Sequence, residues 1–239
     1  MSELRSFMGI QENNQKGLKI DWCTYEAAKF ACLNWHYSKS IPVSKIVKIG
    51  VWEDDVFKGA VLFSRGATPM IGRPYNLKQT EICELTRIAL RDHKTPVSRI
   101  VAISVKFLKK NSPGLRLVIS YADVDQGHLG KIYQASNWVY EGLCGAGTGG
   151  YFLIRGQKVH SRSIHSKYGT GSQSLEWIRR HLDPDAKPYR TSGKHKYCLI
   201  LDDSLRDTIT KRSKPYPRVN GSAVERPDSI REAAVQIRP

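Results

Sequence analysis

The chain has 239 residues and a formal net charge of +16 at pH 7, with 38 lysines and arginines against 22 aspartates and glutamates. Its hydrophobic content of 40% is enough for a folded core, but no apolar run approaches the roughly 20 residues that cross a bilayer. The N-terminus lacks the apolar core of a secretory signal, and the five cysteines include no CxxC pair. We therefore expect a cytoplasmic protein with no membrane partner, no disulfide framework and no zinc ribbon.

The positive charge is concentrated in one part of the chain. Residues 155–218 carry 15 lysines and arginines against 6 acidic residues, whereas residues 1–154 carry 20 against 13. A basic segment interspersed with aromatic residues is typical of proteins that bind nucleic acid. The segment predicts a nucleic acid as a partner, with phosphate contacts from Arg155, Lys158, Arg162 and Lys167. The alternative for this segment is a solvated basic face.

The first half of the chain alternates between helical and extended patterns. Apolar spacing indicates helices, short apolar runs indicate strands, and two of these strands flank the acidic turn Glu53-Asp54-Asp55 as a hairpin. Thr95 followed by Pro96 predicts the start of a helix, with Thr95 as its N-cap. In chain order we predict a helix over 21–35, strands over 47–51 and 58–63, a loop over 66–76, a strand over 81–90 and a helix over 97–110.

The elements of both halves together predict an α/β fold, with a mixed central sheet flanked by helices. The second half contributes a strand over 115–120, a short helix over 131–137, a strand over 138–143, a glycine-rich linker over 145–150, a strand over 151–154, a helix over 174–181 and a strand over 197–201. The predicted domain organisation is an N-terminal tail over 1–17, a core over 18–154, a basic extension over 155–217 that completes the domain, and a disordered tail over 218–239.

The segment Ser120–Gly142 holds the most distinctive chemistry. Asp123 follows a buried strand, and ligands of open α/β sheets collect outside the carboxyl ends of strands. His128 stands between Gly127 and Gly130, and Tyr133 lies on the short helix that follows. The alternative is a solvated turn, because Asp and Gly are ordinary turn residues.

Two further places carry candidate groups. His36 and Tyr37 stand at the exit of the first helix, where a purely structural pair is the alternative. The predicted helix start near Thr95 offers backbone N–H groups to a phosphate, and Arg87 and Arg99 could bind a pyrophosphate. An ordinary helix cap is the alternative there.

The chain resembles the Mom family of phage DNA-modification proteins, within the Gcn5-related N-acetyltransferase superfamily, over about residues 18–217. The segments that carry the resemblance are WHYSK at 35–39, ELTRIAL at 84–90, PGLRLVISYAD at 113–123, GHLGKIYQASNWVYEG at 127–142, YFLIRGQKVHSRS at 151–163 and GKHKYCLILD at 193–202. The resemblance implies an acyltransferase-like (GNAT-like) fold. It also implies double-stranded DNA as the partner, and an enzyme that converts adenine in this DNA to N6-carbamoylmethyladenine and so protects phage DNA from host restriction.

The resemblance also implies roles for single residues. It implicates four residues in catalysis and as ligands of iron: His36, Tyr37, Asp123 and Tyr133. Arg87, Ser98 and Arg99 match the region that binds acetyl-CoA or a related acyl-CoA. The segment HKTPVSR at 93–99 has no glycine, whereas acetyltransferases at large use a glycine-rich pyrophosphate loop.

Two other functions remain alternatives. An N-acetyltransferase of a protein or a small amine would keep the fold and the acyl-CoA but would not act on DNA. A non-catalytic basic DNA-binding protein would keep the DNA but lack the site. The sequence leaves the oligomeric state open, with a homodimer as one alternative.

Overall fold

The chain folds as two compact units, Met1–Leu115 and Arg116–Pro239. The computed structural model describes residues 17–66, 68–147 and 149–218. The structure confirms the α/β class, since strands and helices follow one another in both units. The tails predicted before residue 17 and after residue 218 lie outside the described residues, and the predicted domain boundaries stay a prediction. No helix in the described part of the chain is long and apolar enough to cross a membrane.

The N-terminal unit contains four strands that pair antiparallel in chain order. They are β1 (Leu18–Trp22), β2 (Ile46–Glu53), β3 (Val56–Ser64) and β4 (Ile82–Leu90). The predicted hairpin of β2 and β3 is confirmed, and it turns at Asp54 and Asp55, which both have positive φ angles as tight hairpin turns require.

The helix predicted over 21–35 is too long at its start. Asp21 and Trp22 belong to β1, and α1 (Tyr25–Trp35) begins after Thr24. The reason is a local N-cap, since the Thr24 side chain accepts a hydrogen bond of 3.1 Å from the N–H of Ala27. The loop predicted over 66–76 contains a 3-10 helix, Pro69–Tyr75.

The long helix of this unit is α2 (Val97–Asn111), which buries Ile100, Val101, Val105 and Leu108 as its apolar spacing predicts. The prediction that Thr95 is its N-cap is wrong. Pro96 occupies that position, and the helix start has no side-chain cap. The N–H of Thr95 donates instead to a carboxylate oxygen of Glu53, at 2.7 Å.

The C-terminal unit contains a sheet in which β10 (Lys194–Ile200) lies between β5 (Leu117–Asp123) and β6 (Val139–Cys144), antiparallel to both. The apolar residues of β5 that the sequence marks as a buried strand are buried, and so are Tyr197 and Cys198 of β10. The helices α3 (Lys131–Gln134) and α6 (Arg206–Thr210) accompany this sheet.

The C-terminal unit also contains a smaller lobe with its own sheet and core. Its sheet has the order β8 (Gln157–His160), β7 (Tyr151–Ile154), β9 (Lys187–Pro188), and its helices are α4 (Ser161–Tyr168) and α5 (Leu175–His181). Its buried residues are Ile154, Ile164, Ile178 and Ala186. We call residues 151–189 the basic lobe. Within the predicted glycine-rich linker before it, Gly147 pairs with Thr191.

Candidate active site

Asp123 is the last residue of β5, opposite Lys194 of β10. Its Oδ1 accepts a hydrogen bond of 3.0 Å from the N–H of Asp125 and so caps the 3-10 helix Val124–Gln126. Its Oδ2 accepts no hydrogen bond from the residues that the structure describes. The carboxylate is therefore fixed through one oxygen, and its other oxygen is available to a ligand at the end of the strand.

The segment after Asp123 folds back over the sheet. Gly127 has a φ of 69°, which lets the N–H of His128 return to the carbonyl of Asp123 at 3.1 Å. Gly130 has a φ of 71° and lies on the ring of Tyr197, where a Cβ would come within 2.3 Å of a ring carbon. Only glycine fits at position 130, which explains part of the GHLG sequence in physical terms.

Tyr133 projects from α3 into an aromatic cluster and is 7% exposed. Its ring centroid lies 5.0 Å from that of Trp138 and 5.1 Å from that of Tyr197. The hydroxyl of Ser120 donates a hydrogen bond of 2.7 Å to its phenolic oxygen. Because side chains alternate along a strand, Ser120 and Asp123 project from opposite faces of β5. The contact of Tyr133 with β5 is therefore on the face opposite to the Asp123 side chain.

Tyr197 anchors the turn to this cluster. Its hydroxyl donates to the carbonyl of Leu129 at 2.5 Å and accepts from the amide of Gln134 at 3.0 Å. Burial raises the pKa of Tyr197, so it stays neutral at physiological pH. The turn is consequently tied to β10 by hydrogen bonds as well as by packing.

A buried pair on β6 and β10 was not predicted from the sequence. The hydroxyl of Tyr140 and Nδ1 of His195 are 2.8 Å apart, and His195 is 9% exposed. Burial lowers the pKa of His195 and raises that of Tyr140, so both are neutral near pH 7. The strand sequence KHKYCLI does not predict that His195 is buried and hydrogen-bonded, because a histidine at this position is compatible with an ordinary strand.

His36 and Tyr37 belong to the N-terminal unit. His36 is the C-cap of α1 and is 8% exposed, and its ring centroid lies 4.3 Å from that of Tyr37. Its Nδ1 lies 2.8 Å from the Ser38 hydroxyl and accepts the Ser38 N–H at 3.1 Å. The histidine is thus held firmly by its own loop. Tyr37 is half exposed, so its ring is accessible to a ligand.

The predicted iron ligands do not form a recognisable metal site within either unit. No group of three or more His, Cys, Asp and Glu residues in the described ranges could hold a metal ion. Nδ1 of His36 accepts an N–H, and this hydrogen bond favours the tautomer in which Nε2 carries the proton rather than a free lone pair. Iron as a cofactor stays a prediction.

The residues predicted to bind the acyl-CoA lie on β4 and at the start of α2. The guanidinium of Arg87 donates to the carbonyl of Thr86 at 2.8 Å. Ser98 and Arg99 lie in the first turn of α2, where the backbone N–H groups of Val97 and Ser98 have no partner among the described residues. Arg99 is exposed. An uncapped helix start beside an arginine suits an anionic group.

The four predicted DNA contacts differ in their surroundings. Arg162 and Lys167 are exposed on α4. Arg155 is exposed too, but its guanidinium donates to the carbonyl of Leu182 at 3.0 Å. Lys158 forms an ion pair with Asp125. Only part of the predicted set therefore offers its charge directly to solvent.

The model of the Mom protein family matches residues 17–218. The chain belongs to the Mom protein family. Over 210 residues this Mom family chain is 23% identical to "Methylcarbamoylase mom" of Escherichia phage Mu, and the match covers 85% of each chain. Among solved structures, it is similar to the spermidine/spermine N-acetyltransferase SpeG from Vibrio cholerae in complex with manganese ions. That similarity has a TM-score of 0.42 at 11% identity, over 80% of this chain and 96% of SpeG.

Two polar contacts in this Mom family chain could not be predicted from its sequence. One is the Tyr140–His195 pair, and the other is the Asp125–Lys158 ion pair. Both join residues more than 30 positions apart, and local patterns carry no information on such contacts. Only the position of Asp125, two residues after Asp123, could have drawn attention to it.

Proposed function

We propose that this chain is a transferase that modifies adenine in DNA at N6, giving N6-carbamoylmethyladenine, and that the modification protects phage DNA from host restriction. Membership of the Mom family supports the proposal, as does the similarity to a relative named a methylcarbamoylase. The observation that carries it in this chain is the Asp123 carboxylate, fixed at the end of β5 with Oδ2 available. We infer that this oxygen accepts a proton from N6 as the amine attacks its donor.

The target adenine has to leave the base stack before N6 can reach the partly buried Asp123 carboxylate. Enzymes that act on a base usually hold the extruded base against aromatic side chains. Tyr37 of the N-terminal unit has a half-exposed ring with the His36 ring beside it, and both residues stay proposed members of the catalytic set. Tyr133 is proposed as a positioning residue, because it contacts the opposite face of β5 and its hydroxyl is bonded to Ser120 of that strand.

The proposed donor is acetyl-CoA or a related acyl-CoA. Its phosphates would bind the N–H groups of Val97 and Ser98 at the start of α2 and the guanidinium of Arg99. Arg87, on β4 of the same unit, is the other proposed phosphate ligand. The carbamoylmethyl group is joined to N6 through a methylene carbon and contains a nitrogen that an acetyl group lacks. Attack of N6 on the thioester carbonyl would release CoA and give only an N6-acetyl group. The reaction therefore also needs a nitrogen-containing co-substrate and a rearrangement that leaves the methylene carbon on N6.

The proposed DNA surface is the basic lobe. Arg162 and Lys167 lie exposed on α4, where they can follow a phosphate backbone. Binding through such contacts releases counterions, so the affinity for DNA should fall steeply as the salt concentration rises. An affinity for DNA that does not depend on the salt concentration would favour a protein or a small amine as the substrate.

Nucleoside mass spectrometry of plasmid DNA from cells that express the chain tests the proposal. We expect N6-carbamoylmethyladenine in this DNA and none in DNA from cells with an empty vector. Unmodified DNA together with an acetylated protein or amine would favour the N-acetyltransferase. Unmodified DNA together with salt-dependent binding by the pure protein would favour a non-catalytic DNA-binding protein.

A further inference from the structure

We propose that Asp125 and Lys158 form a latch that docks the basic lobe onto the turn after Asp123, and that Lys158 assists DNA modification by this docking rather than by contacting phosphate. The latch is defined by these two residues and by Thr191 and Ser192, which share the Asp125 carboxylate. Its role in activity rests on the proposed function, whereas its role in docking does not.

Asp125 is the centre of the latch. Its side chain is 7% exposed, and its carboxylate pairs with the Lys158 ammonium of β8. It also accepts hydrogen bonds of 3.0 Å from the Thr191 hydroxyl and 2.9 Å from the Ser192 N–H. One carboxylate therefore joins the turn after β5, the basic lobe and the segment that leads into β10.

Lys158 is enclosed on its other sides by aromatic rings. Its ammonium lies 4.6 Å from the ring centroid of Tyr151 and 4.8 Å from that of Tyr189. An ammonium between two ring faces and a carboxylate gains from cation–π attraction as well as from the ion pair. The side chain is 24% exposed, so little of it is left for another anion.

Asp125 and Lys158 each stabilise the ionised form of the other. The hydrogen bond from Lys158 lowers the pKa of Asp125 well below its ordinary range, against the effect of burial. Burial acts against the ammonium, but the hydrogen bond to Asp125 raises the pKa of Lys158. Both groups are ionised at neutral pH. Removing one partner would leave an uncompensated charge in a mostly buried place, which is costly.

The latch is continuous with the turn that carries the proposed base. The N–H of Asp125 is the donor that fixes Oδ1 of Asp123. The N–H of Val124 donates to the carbonyl of Gly193 at 3.1 Å, and the N–H of Gly193 donates to the Thr191 hydroxyl at 3.2 Å. Loosening the latch should consequently loosen residues 191–193 and the placement of the basic lobe.

The decisive comparison is between Asp125→Asn, Lys158→Met, the double variant and the control Lys167→Met. We would measure the affinity for a DNA duplex over a range of salt, amide hydrogen exchange, and stability. Both latch variants should bind DNA on the order of tenfold more weakly, with an unchanged slope of log affinity against log salt. Amide exchange at 191–193 should rise. The double variant should lose no more stability than either single variant, because both remove the same interaction.

If Lys158 contacted a DNA phosphate instead, these variants would give different results. Lys158→Met would then lower the slope by about 0.9, as we expect for Lys167→Met. Asp125→Asn would strengthen DNA binding, because it removes a negative charge and releases the ammonium. Either result would overturn the latch. With active protein, the latch predicts that the KM for DNA rises by a larger factor than kcat falls.

A milder variant guards against a failure to fold. Thr191→Val removes the hydroxyl's hydrogen bonds with Asp125 and with the N–H of Gly193 but leaves the ion pair. It should therefore raise exchange at Ser192, whose N–H donates to Asp125, without changing the salt slope. Exchange equal to that of the parent would contradict the latch. A parent protein that does not bind DNA would refute the proposed function, while the exchange and stability results would still decide on the latch.

Discussion

The Glu53 carboxylate accepts a hydrogen bond of 2.7 Å from the N–H of Thr95, and its other oxygen accepts one of 2.7 Å from the N–H of Lys94. This carboxylate at the end of β2 thereby holds the loop that leads into α2. Glu53 is 5% exposed, so the two hydrogen bonds have little competition from water. The proposed acyl-CoA site at the start of α2 depends on this contact for its position.

Glu53 should make the stability of the protein sensitive to acid. Burial opposes its ionisation, but the hydrogen bonds from Lys94 and Thr95 lower the pKa of Glu53 from its ordinary 4.5 to about 2. Because the folded-state pKa is the lower one, this stabilisation is complete above pH 4.5 and is lost as the pH falls towards 2. Glu53→Gln should cost about 1.5–3 kcal/mol at pH 7 and remove part of the acid sensitivity, as measured by urea unfolding at pH 7 and pH 3.

Asp55→Asn is the matched control, since this acid is exposed in the adjacent hairpin turn. It should leave stability nearly unchanged at both pH values. A Glu53 variant as stable as the parent at pH 7 would show that the contact does not hold the loop.

Substitution of Arg99 should weaken the binding of CoA without changing the stability of the protein. Arg99→Ala removes an exposed side chain that has no hydrogen bond to the described residues, so melting should not change. If Arg99 binds a phosphate of CoA, the loss of a charge-assisted interaction should weaken CoA binding by about ten- to a hundredfold. Isothermal titration calorimetry measures the affinity. Lys106→Ala, an exposed lysine on the same helix, should bind CoA like the parent, and equal affinity of Arg99→Ala and the parent would refute this assignment.

Gly130 and Gly156 are a matched pair of positions for testing whether Tyr197 constrains the turn that contains Gly130. Their φ angles are 71° and 74°, but a Cβ at position 130 would collide with the Tyr197 ring, whereas nothing lies within 4 Å of one at position 156. Gly156→Ala should cost about 1–2 kcal/mol, the strain of a left-handed alanine. Gly130→Ala should cost clearly more in urea unfolding. Equal losses would mean that Tyr197 does not constrain the turn.

The Tyr140–His195 pair should contribute to stability. Tyr140→Phe keeps the ring and leaves Nδ1 of the buried His195 without its partner, at a cost of about 1–3 kcal/mol. Tyr168→Phe is the control, because Tyr168 is 43% exposed and has no hydrogen bond among the described residues. Thermal unfolding of the two variants beside the parent checks this. Equal melting of all three would contradict a structural role for the hydrogen bond.

The sequence predicts the elements with strong periodicity. The β2–β3 hairpin, β4, α2 and β5 follow the expected runs, because each has enough apolar residues on one face to be recognised alone. The basic lobe is the opposite case. β8 has one apolar residue in QKVH, and α4 buries only Ile164 in SRSIHSKY, so their structure depends on tertiary packing that no local pattern reports.

The candidate site also combines features that the sequence predicts with features that it does not. The sequence predicts a strand over 115–120 and so places Asp123 close to a strand end, whereas the structure extends β5 through Asp123 itself. The Glu53–Thr95 and Asp125–Lys158 contacts join residues 42 and 33 positions apart, so they could not be predicted. The four-residue set His36, Tyr37, Asp123 and Tyr133 comes from a family resemblance and stays a prediction.

Nucleoside mass spectrometry of the Asp123→Asn variant tests the central claim most directly. The amide keeps the shape of the side chain and the acceptor for the Asp125 N–H, but it cannot take a proton from N6. Cells that express Asp123→Asn should therefore contain at least about a hundredfold less modified adenine than cells with the parent. Asp185→Asn, an exposed residue of the same unit, should modify DNA like the parent. Modification by folded Asp123→Asn at the parent's level would contradict the account, and Asp123 would then be a turn residue without a catalytic role.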